Sequence, residues 1–221
     1  MKKVLLFDLD QTILDRTTSL IHFLEWQINF FQLTPQISKS DFIKKFIELE
    51  NNGQVWKDIV YDQLIKDFDI NNYSAEELLL SYVSDFNKFC IGFDQAHNTI
   101  RCLFEKGHQI GLVSNGKSPF QEHNFYALGL TEYFSTVIVS DAIGLRKPDE
   151  NIFTYACSQL NCSPTDCIFI GDNPIADIEG AKNVGMKTIF FHPTRTLEQP
   201  FADESIHHYD QLEMAINRLQ M

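Results

Sequence analysis

Two aspartates, Asp8 and Asp10, follow directly on the apolar run Val4-Leu5-Leu6-Phe7. A short, wholly apolar run is the pattern of a strand buried on both faces of a parallel sheet. Alternate residues of an extended chain point the same way, so both carboxylates can face one crevice. Open α/β sheets place their chemistry at the carboxyl ends of such strands. Like charges this close need a cation or a shared proton to divide the load. The pair reads as a Mg²⁺-assisted site, with Asp8 as nucleophile and Asp10 as proton carrier.

Three further signals fall at the ends of later apolar runs. Ser114-Asn115-Gly116 offers a hydroxyl and backbone N–H groups just before a helix, which can hold a phosphate. The same residues could equally cap that helix and form its turn. In Arg146-Lys147-Pro148-Asp149, the Lys147 ammonium could neutralise a nucleophilic carboxylate and a phosphoryl group, or belong to an ordinary charged loop. Gly171-Asp172-Asn173, with Asp177 beyond, could supply oxygen ligands to Mg²⁺ or cap the next helix. Helix capping alone does not assemble a nucleophile, an acid/base, a cation and a metal site.

The elements that must position these groups are legible in outline. Five short apolar segments, roughly 4–8, 109–114, 136–140, 167–171 and 187–191, read as buried strands. Helical patterns lie between the later ones: Pro119–Leu128, Asp149–Leu160 and Ile175–Val184, with Pro near a start and Gly after an end. Strand alternating with helix predicts an α/β fold with a doubly wound parallel sheet. About a hundred residues separate the first strand from the second, far more than one crossover needs. Their apolar spacing predicts four amphipathic helices over about 17–90, the last opened by a capping box of Ser74 and Glu77. A helix over 96–106 returns the chain to the sheet. The organisation expected is a core of 1–15 with 94–221 and an inserted helical bundle of 16–93. After Pro193 and Pro200 the pattern is weak; Asp210 with Glu213 suggests a cap for a final helix carrying Leu212, Ile216 and Leu219.

Bulk properties narrow the partners. The 221 residues carry a net charge of −12, so nucleic acid and anionic membranes are unfavourable surfaces. Lys2-Lys3 precede an apolar run as in a signal peptide, but Asp8 ends that run too early. No stretch approaches a membrane span, and a cytoplasmic location is expected. The five cysteines, Cys90, Cys102, Cys157, Cys162 and Cys167, form no C-x-x-C pair and read as reduced thiols. The even spacing of the last three fits no zinc pattern.

With these residues in view, the chain resembles the haloacid dehalogenase superfamily. Asp8-Leu9-Asp10-Gln11-Thr12 is similar to its first motif, Ser114 to its second, Lys147 to its third, and Gly171-Asp172 with Asp177 to its fourth. The resemblance implies a Rossmann-like core with a helical cap after the first strand. It implies attack by Asp8 on phosphorus, forming an aspartyl phosphate, with Asp10 first protonating the leaving oxygen and then activating water. Mg²⁺ would be held by Asp8, the Asp10 carbonyl and Asp172, with Asp177 in or beside that shell. Thr12 would support the first loop, and Thr12, Ser114 and Asn115 would form the phosphate-binding group. Lys147 would hold Asp8 and the transferring group. Asp10 favours phosphoryl transfer over dehalogenation, because an alkoxide leaving group benefits from a proton and a halide does not. The function expected is hydrolysis of a small phosphomonoester, a sugar phosphate or nucleotide. Alternatives are a sugar phosphomutase and a phosphometabolite-binding module without turnover.

Overall fold

The structure, a computed structural model, describes residues 3–33, 38–193 and 201–219. Lys2 and Pro200 lie outside the described residues. The chain divides into two compact units: Met1–Arg16 with Ile91–Met221, and Thr17–Cys90.

The first unit is built on a six-stranded parallel sheet in the order β3-β2-β1-β4-β5-β6. The strands are β1 (Val4–Phe7), β2 (Gln109–Ser114), β3 (Thr136–Val139), β4 (Cys167–Gly171), β5 (Lys187–Phe191) and β6 (Glu204–Ile206). All four side chains of β1 are buried, as expected for a central strand covered on both faces. Phe7 pairs with both Leu112 and Ile170, so β4 ends one residue and β2 two residues beyond the level at which β1 ends. The chain runs outward from β1 to β3, then crosses back to β4. That reversal leaves a crevice beyond the carboxyl ends of β1 and β4.

One face of the sheet packs Val4, Leu6, Val113, Ile138 and Phe169 against Ile152, Phe153, Ala156 and Leu160 of helix α8 (Glu150–Leu160). Asp149 caps α8 by accepting from the Asn151 N–H (2.9 Å). The segment read as one helix over 175–184 is a π-helical turn, Pro174–Glu179, followed by a short α-helix, Gly180–Asn183. The Ile178 N–H reaches back five residues to the Asn173 carbonyl (3.2 Å). Such widened turns concentrate at functional sites.

Strand β6 escaped the sequence reading. It has three residues, and Glu and Ser give it no apolar signature. Asp203 anchors it instead: its carboxylate accepts from Thr188 N–H (2.8 Å) and Oγ1 (3.0 Å) on β5. The tail cap is also not the Asp210–Glu213 pair. Gln211 Oε1 accepts from the His207 (2.7 Å) and His208 (3.2 Å) N–H groups, ahead of the helix Leu212–Arg218.

The second unit carries the helices α1 (Arg16–Phe31), α2 (Lys39–Glu50), α3 (Lys57–Asp67) and α4 (Ala75–Asp85). Leu20, Phe23 and Leu24 of α1, Phe42 and Phe46 of α2, Tyr61 and Leu64 of α3, and Leu78 and Tyr82 of α4 form its interior. Val83, next to Tyr82 on α4, is exposed. The Ser74–Glu77 capping box forms. Gln27 supplies a polar tie in the interior. It accepts from Tyr61 Oη (2.8 Å) and donates to Ser81 Oγ (2.9 Å) and the Leu78 carbonyl (3.0 Å), linking α1, α3 and α4. A buried pair, Lys57 with Glu50 (2.9 Å), joins the end of α2 to the start of α3. No described helix is long and apolar enough to cross a membrane.

Candidate active site

Asp8 leaves β1 at the centre of the crevice. Its N–H continues the ladder to the Ile170 carbonyl (2.9 Å), which fixes its backbone. The chain then turns sharply. The Leu9 carbonyl accepts from the N–H groups of Thr12 (3.2 Å), Ile13 (2.9 Å) and Leu14 (2.9 Å), and Gln11 adopts φ +58°. Thr12 is fully buried in this loop, and its carbonyl accepts from Tyr209 Oη (2.8 Å). The final helical segment thus braces the first loop.

Lys147 reaches the crevice from the loop after β3. Its ammonium, 2 % exposed as a residue, lies 2.6 Å from Asp8 Oδ1 and 2.7 Å from Asp177 Oδ1. Asn115, at the end of β2, holds the Lys147 backbone from both sides. Its Nδ2 donates to the Lys147 carbonyl (2.9 Å), and its Oδ1 accepts from the Lys147 N–H (3.0 Å). Asn115 therefore does not cap α6 (Phe120–Ala127), which begins beyond it at Pro119. Both polar ends of its side chain serve the lysine loop, although the sequence suggested phosphate contact.

At the end of β4, Asn173 caps the π-helical turn through the Ile175 (3.1 Å) and Ala176 (2.9 Å) N–H groups. That leaves Asp172 outside the cap. Asp177 Oδ2 accepts from the Asn173 N–H (3.0 Å), so both of its oxygens are engaged. Gly171 makes this possible, because a Cβ there would collide with the Asp177 carboxylate.

Asp8, Asp172 and Asp177 bring carboxylate oxygens within 4.8 Å of one another. Burial pushes the Asp8 carboxyl up from 3.8 to about 7; Lys147 pulls it down, and Asp177 pushes it further up. Asp172 is driven well above its ordinary value by burial, then by the charges of Asp8 and Asp177. Burial works against the Lys147 ammonium, yet Asp177 and Asp8 outweigh it and hold Lys147 above its ordinary value. One buried ammonium does not balance these carboxylates. An all-oxygen, over-negative cluster of this kind fits a hard divalent cation, and Asp8, Asp172 and Asp177 are the side chains that could hold it.

Asp10, close enough for its charge to act on Asp8 and Asp172, is bound by a residue that the sequence reading missed. Gln121 Nε2 donates to Asp10 Oδ2 (2.8 Å) and to Ser114 Oγ (3.1 Å). Asn124 Nδ2 donates to Gln121 Oε1 (3.2 Å), which orients the amide. Gln121 and Asn124 are both buried on the inner face of α6, one turn apart. Two amides at helical spacing beside buried Phe125 were the available signal. A Cβ at Gly116 would strike Gln121, so the turn after β2 must be glycine for the amide to enter.

A doubly wound parallel sheet that brings carboxylates, a hydroxyl and a lysine together beyond its strand ends is the layout of an α/β enzyme. The sequence matches the haloacid dehalogenase-like hydrolases over residues 5–191, and the chain belongs to that family. It is 29% identical to the glyceraldehyde 3-phosphate phosphatase of Pyrococcus furiosus, covering 86% of this chain and 80% of that protein. It is 26% identical to a pyrimidine 5'-nucleotidase of Streptococcus pneumoniae, covering 86% and 84%. In fold it is similar to the HAD hydrolase YfnB of Bacillus subtilis, a crystal structure bound to magnesium, at 24% identity and a TM-score of 0.78, covering 98% and 100%.

Proposed function

We propose that the chain is a Mg²⁺-dependent phosphatase that hydrolyses a small phosphomonoester through an aspartyl-phosphate on Asp8. The observation that carries this reading is the Lys147 ammonium bridging Asp8 and Asp177, with Asp172 in the same cluster and Asp10 bound by Gln121. Lys147 occupies Asp8 Oδ1, which leaves Oδ2 to attack phosphorus. Asp10 gives its proton to the leaving oxygen, so the alcohol departs neutral. It then takes a proton from the water that attacks the acyl phosphate, which frees phosphate and restores Asp8. Ser114 binds a phosphoryl oxygen. Asn115 and Asp177 act as positioning residues through Lys147. When bound, the cation supplies charge for the phosphoryl oxygens, held by Asp8, Asp172 and the Asp10 carbonyl. The similarity to a triose-phosphate phosphatase and a nucleotidase supports a small phosphate ester as substrate, and we read the inserted helical unit as the family's cap.

The test is phosphate release from a panel of metabolite phosphates. Release is expected with Mg²⁺ and not after chelation, and activity should return when Mg²⁺ is restored. No release from any ester, or release indifferent to chelation, rejects the reading. The pH dependence has a definite sign. The cation must displace the proton that Asp8 holds up to about pH 7. Mg²⁺ affinity, measured by calorimetry, should rise from pH 5.5 to about pH 7 (roughly tenfold per unit for one displaced proton) and then level off. A flat profile contradicts it.

Gln121→Leu keeps the volume and removes the donor to Asp10. Turnover should fall roughly 10- to 100-fold with KM little changed. The loss should fall on kcat and not on KM, and an unchanged kcat would make Gln121 a packing residue only.

A further inference from the structure

Three thiols gather at the opposite end of the sheet from the carboxylates. Cys157 lies in the last turn of α8, Cys162 in the turn that follows, and Cys167 opens β4. Asn161 takes a left-handed conformation (φ +51°) and reverses the chain, so that the Cys162 N–H returns to the Cys157 carbonyl (3.1 Å). The 3₁₀ turn Pro164–Asp166 then brings Cys167 back beneath them. The sulfurs of Cys157 and Cys167 are 3.7 Å apart, and those of Cys162 and Cys167 are 3.4 Å apart. All three fall within 4.8 Å of one another. Sulfurs bonded to one another would sit about 2.05 Å apart, so these are separate thiols. Sulfurs sharing one metal ion at about 2.3 Å sit about 3.8–4.0 Å apart, from tetrahedral to trigonal geometry. The observed spacing is close to the second case.

The composition of the cluster selects the ion. Among the described residues it contains three sulfurs and neither histidine nor carboxylate. Thiolates select soft ions and offer little to Mg²⁺. Zn²⁺ requires a fourth ligand, whereas a monovalent soft ion is satisfied by three. Cys157 and Cys167 are 3% and 1% exposed, and the half-buried Cys162 forms the approach. Packing alone also buries thiols as small apolar groups, and Leu160 and Met186 share this part of the core. Packing does not require three sulfurs from a helix, a turn and a strand to converge at ligand spacing.

We propose that Cys157, Cys162 and Cys167 form a three-sulfur site for a soft monovalent metal ion of the Cu⁺ class. Binding releases the thiol protons to solvent and ties α8, the turn and β4 together. The site lies five residues along the chain from Asp172, about 17 Å in extended geometry, so it is independent of the hydrolytic centre.

The test is anaerobic titration of the reduced full chain with Cu⁺ held by a chromophoric competing chelator. One equivalent per chain should be withdrawn from the chelator. The Cys90→Ala/Cys102→Ala variant should withdraw the same equivalent, and Cys162→Ala should not, while its phosphate release stays unchanged. X-ray absorption on the copper-loaded wild-type chain should show three sulfurs at roughly 2.3 Å, a readout that needs no variant to fold. Failure to withdraw copper, equal withdrawal by Cys162→Ala, a two-sulfur environment, or tighter capture of Zn²⁺ than of Cu⁺ would each overturn the assignment. None of these results bears on the phosphatase reading.

Discussion

Asp8→Asn is expected to remove turnover and to stabilise the metal-free fold at the same time. An amide cannot attack phosphorus, so phosphate release should fall by about 10⁴-fold or more. The stability effect follows from the environment of the carboxyl group. Its value rises from 3.8 to about 7 on folding, chiefly through burial. The folded chain therefore binds that proton more tightly than the unfolded chain. Between pH 4 and 7 the unfolded chain has already lost the proton, so stability declines as pH rises through this window. Asparagine resembles the protonated acid and escapes the decline. Thermal unfolding in chelator should give similar midpoints for the two proteins near pH 4. At pH 8 the variant should unfold several degrees higher. A variant that melts lower at pH 8 would mean that Asp8 stabilises the fold as an anion paired with Lys147.

Lys147→Met acts in the opposite direction. Methionine fills the stem of lysine but leaves Asp8 and Asp177 buried without the ammonium between them. Removing one member of a buried ion pair typically costs about 3–5 kcal/mol. The unfolding midpoint in urea should fall accordingly, and turnover should drop by about 10³-fold or more. Mg²⁺ should recover more stability in this variant than in the wild type, because the cation then answers charge that no side chain answers. Equal gains from Mg²⁺ in both proteins would show that cation and lysine do not share the same carboxylates.

The strand ends were legible because buried parallel strands are short uninterrupted apolar runs, and β1, β2, β4 and β5 each have one. Asp8, Ser114, Lys147 and Asp172 follow such runs or their connections, so the topology carries them to one crevice. What escaped the sequence depends on geometry that local pattern does not encode. Gln121 reads as one polar residue among several on α6 until the helix is docked and its inner face meets Asp10. Asn115 and Asp177 appeared as candidate contacts to phosphate and metal. Their contacts with the backbone and ammonium of Lys147 were not legible, because these are reached only through the pairing of distant segments. The cysteines, spaced by five, match no ligand pattern on a helix or strand. They converge because Asn161 turns left-handed between them, a backbone choice that composition does not announce.

The ion pair between Asp8 and Lys147 spans 139 residues of chain. On the ribosome the nucleophile therefore emerges roughly 7–30 s before its counter-ion at ordinary rates of translation. Strand β1 waits as well, since one neighbour, β2, ends at residue 114 and the other, β4, at residue 171. The whole helical insertion is synthesised inside that interval. A nascent chain released early thus exposes an unpaired apolar strand capped by two acids, so premature termination yields an aggregation-prone fragment rather than a partially active enzyme.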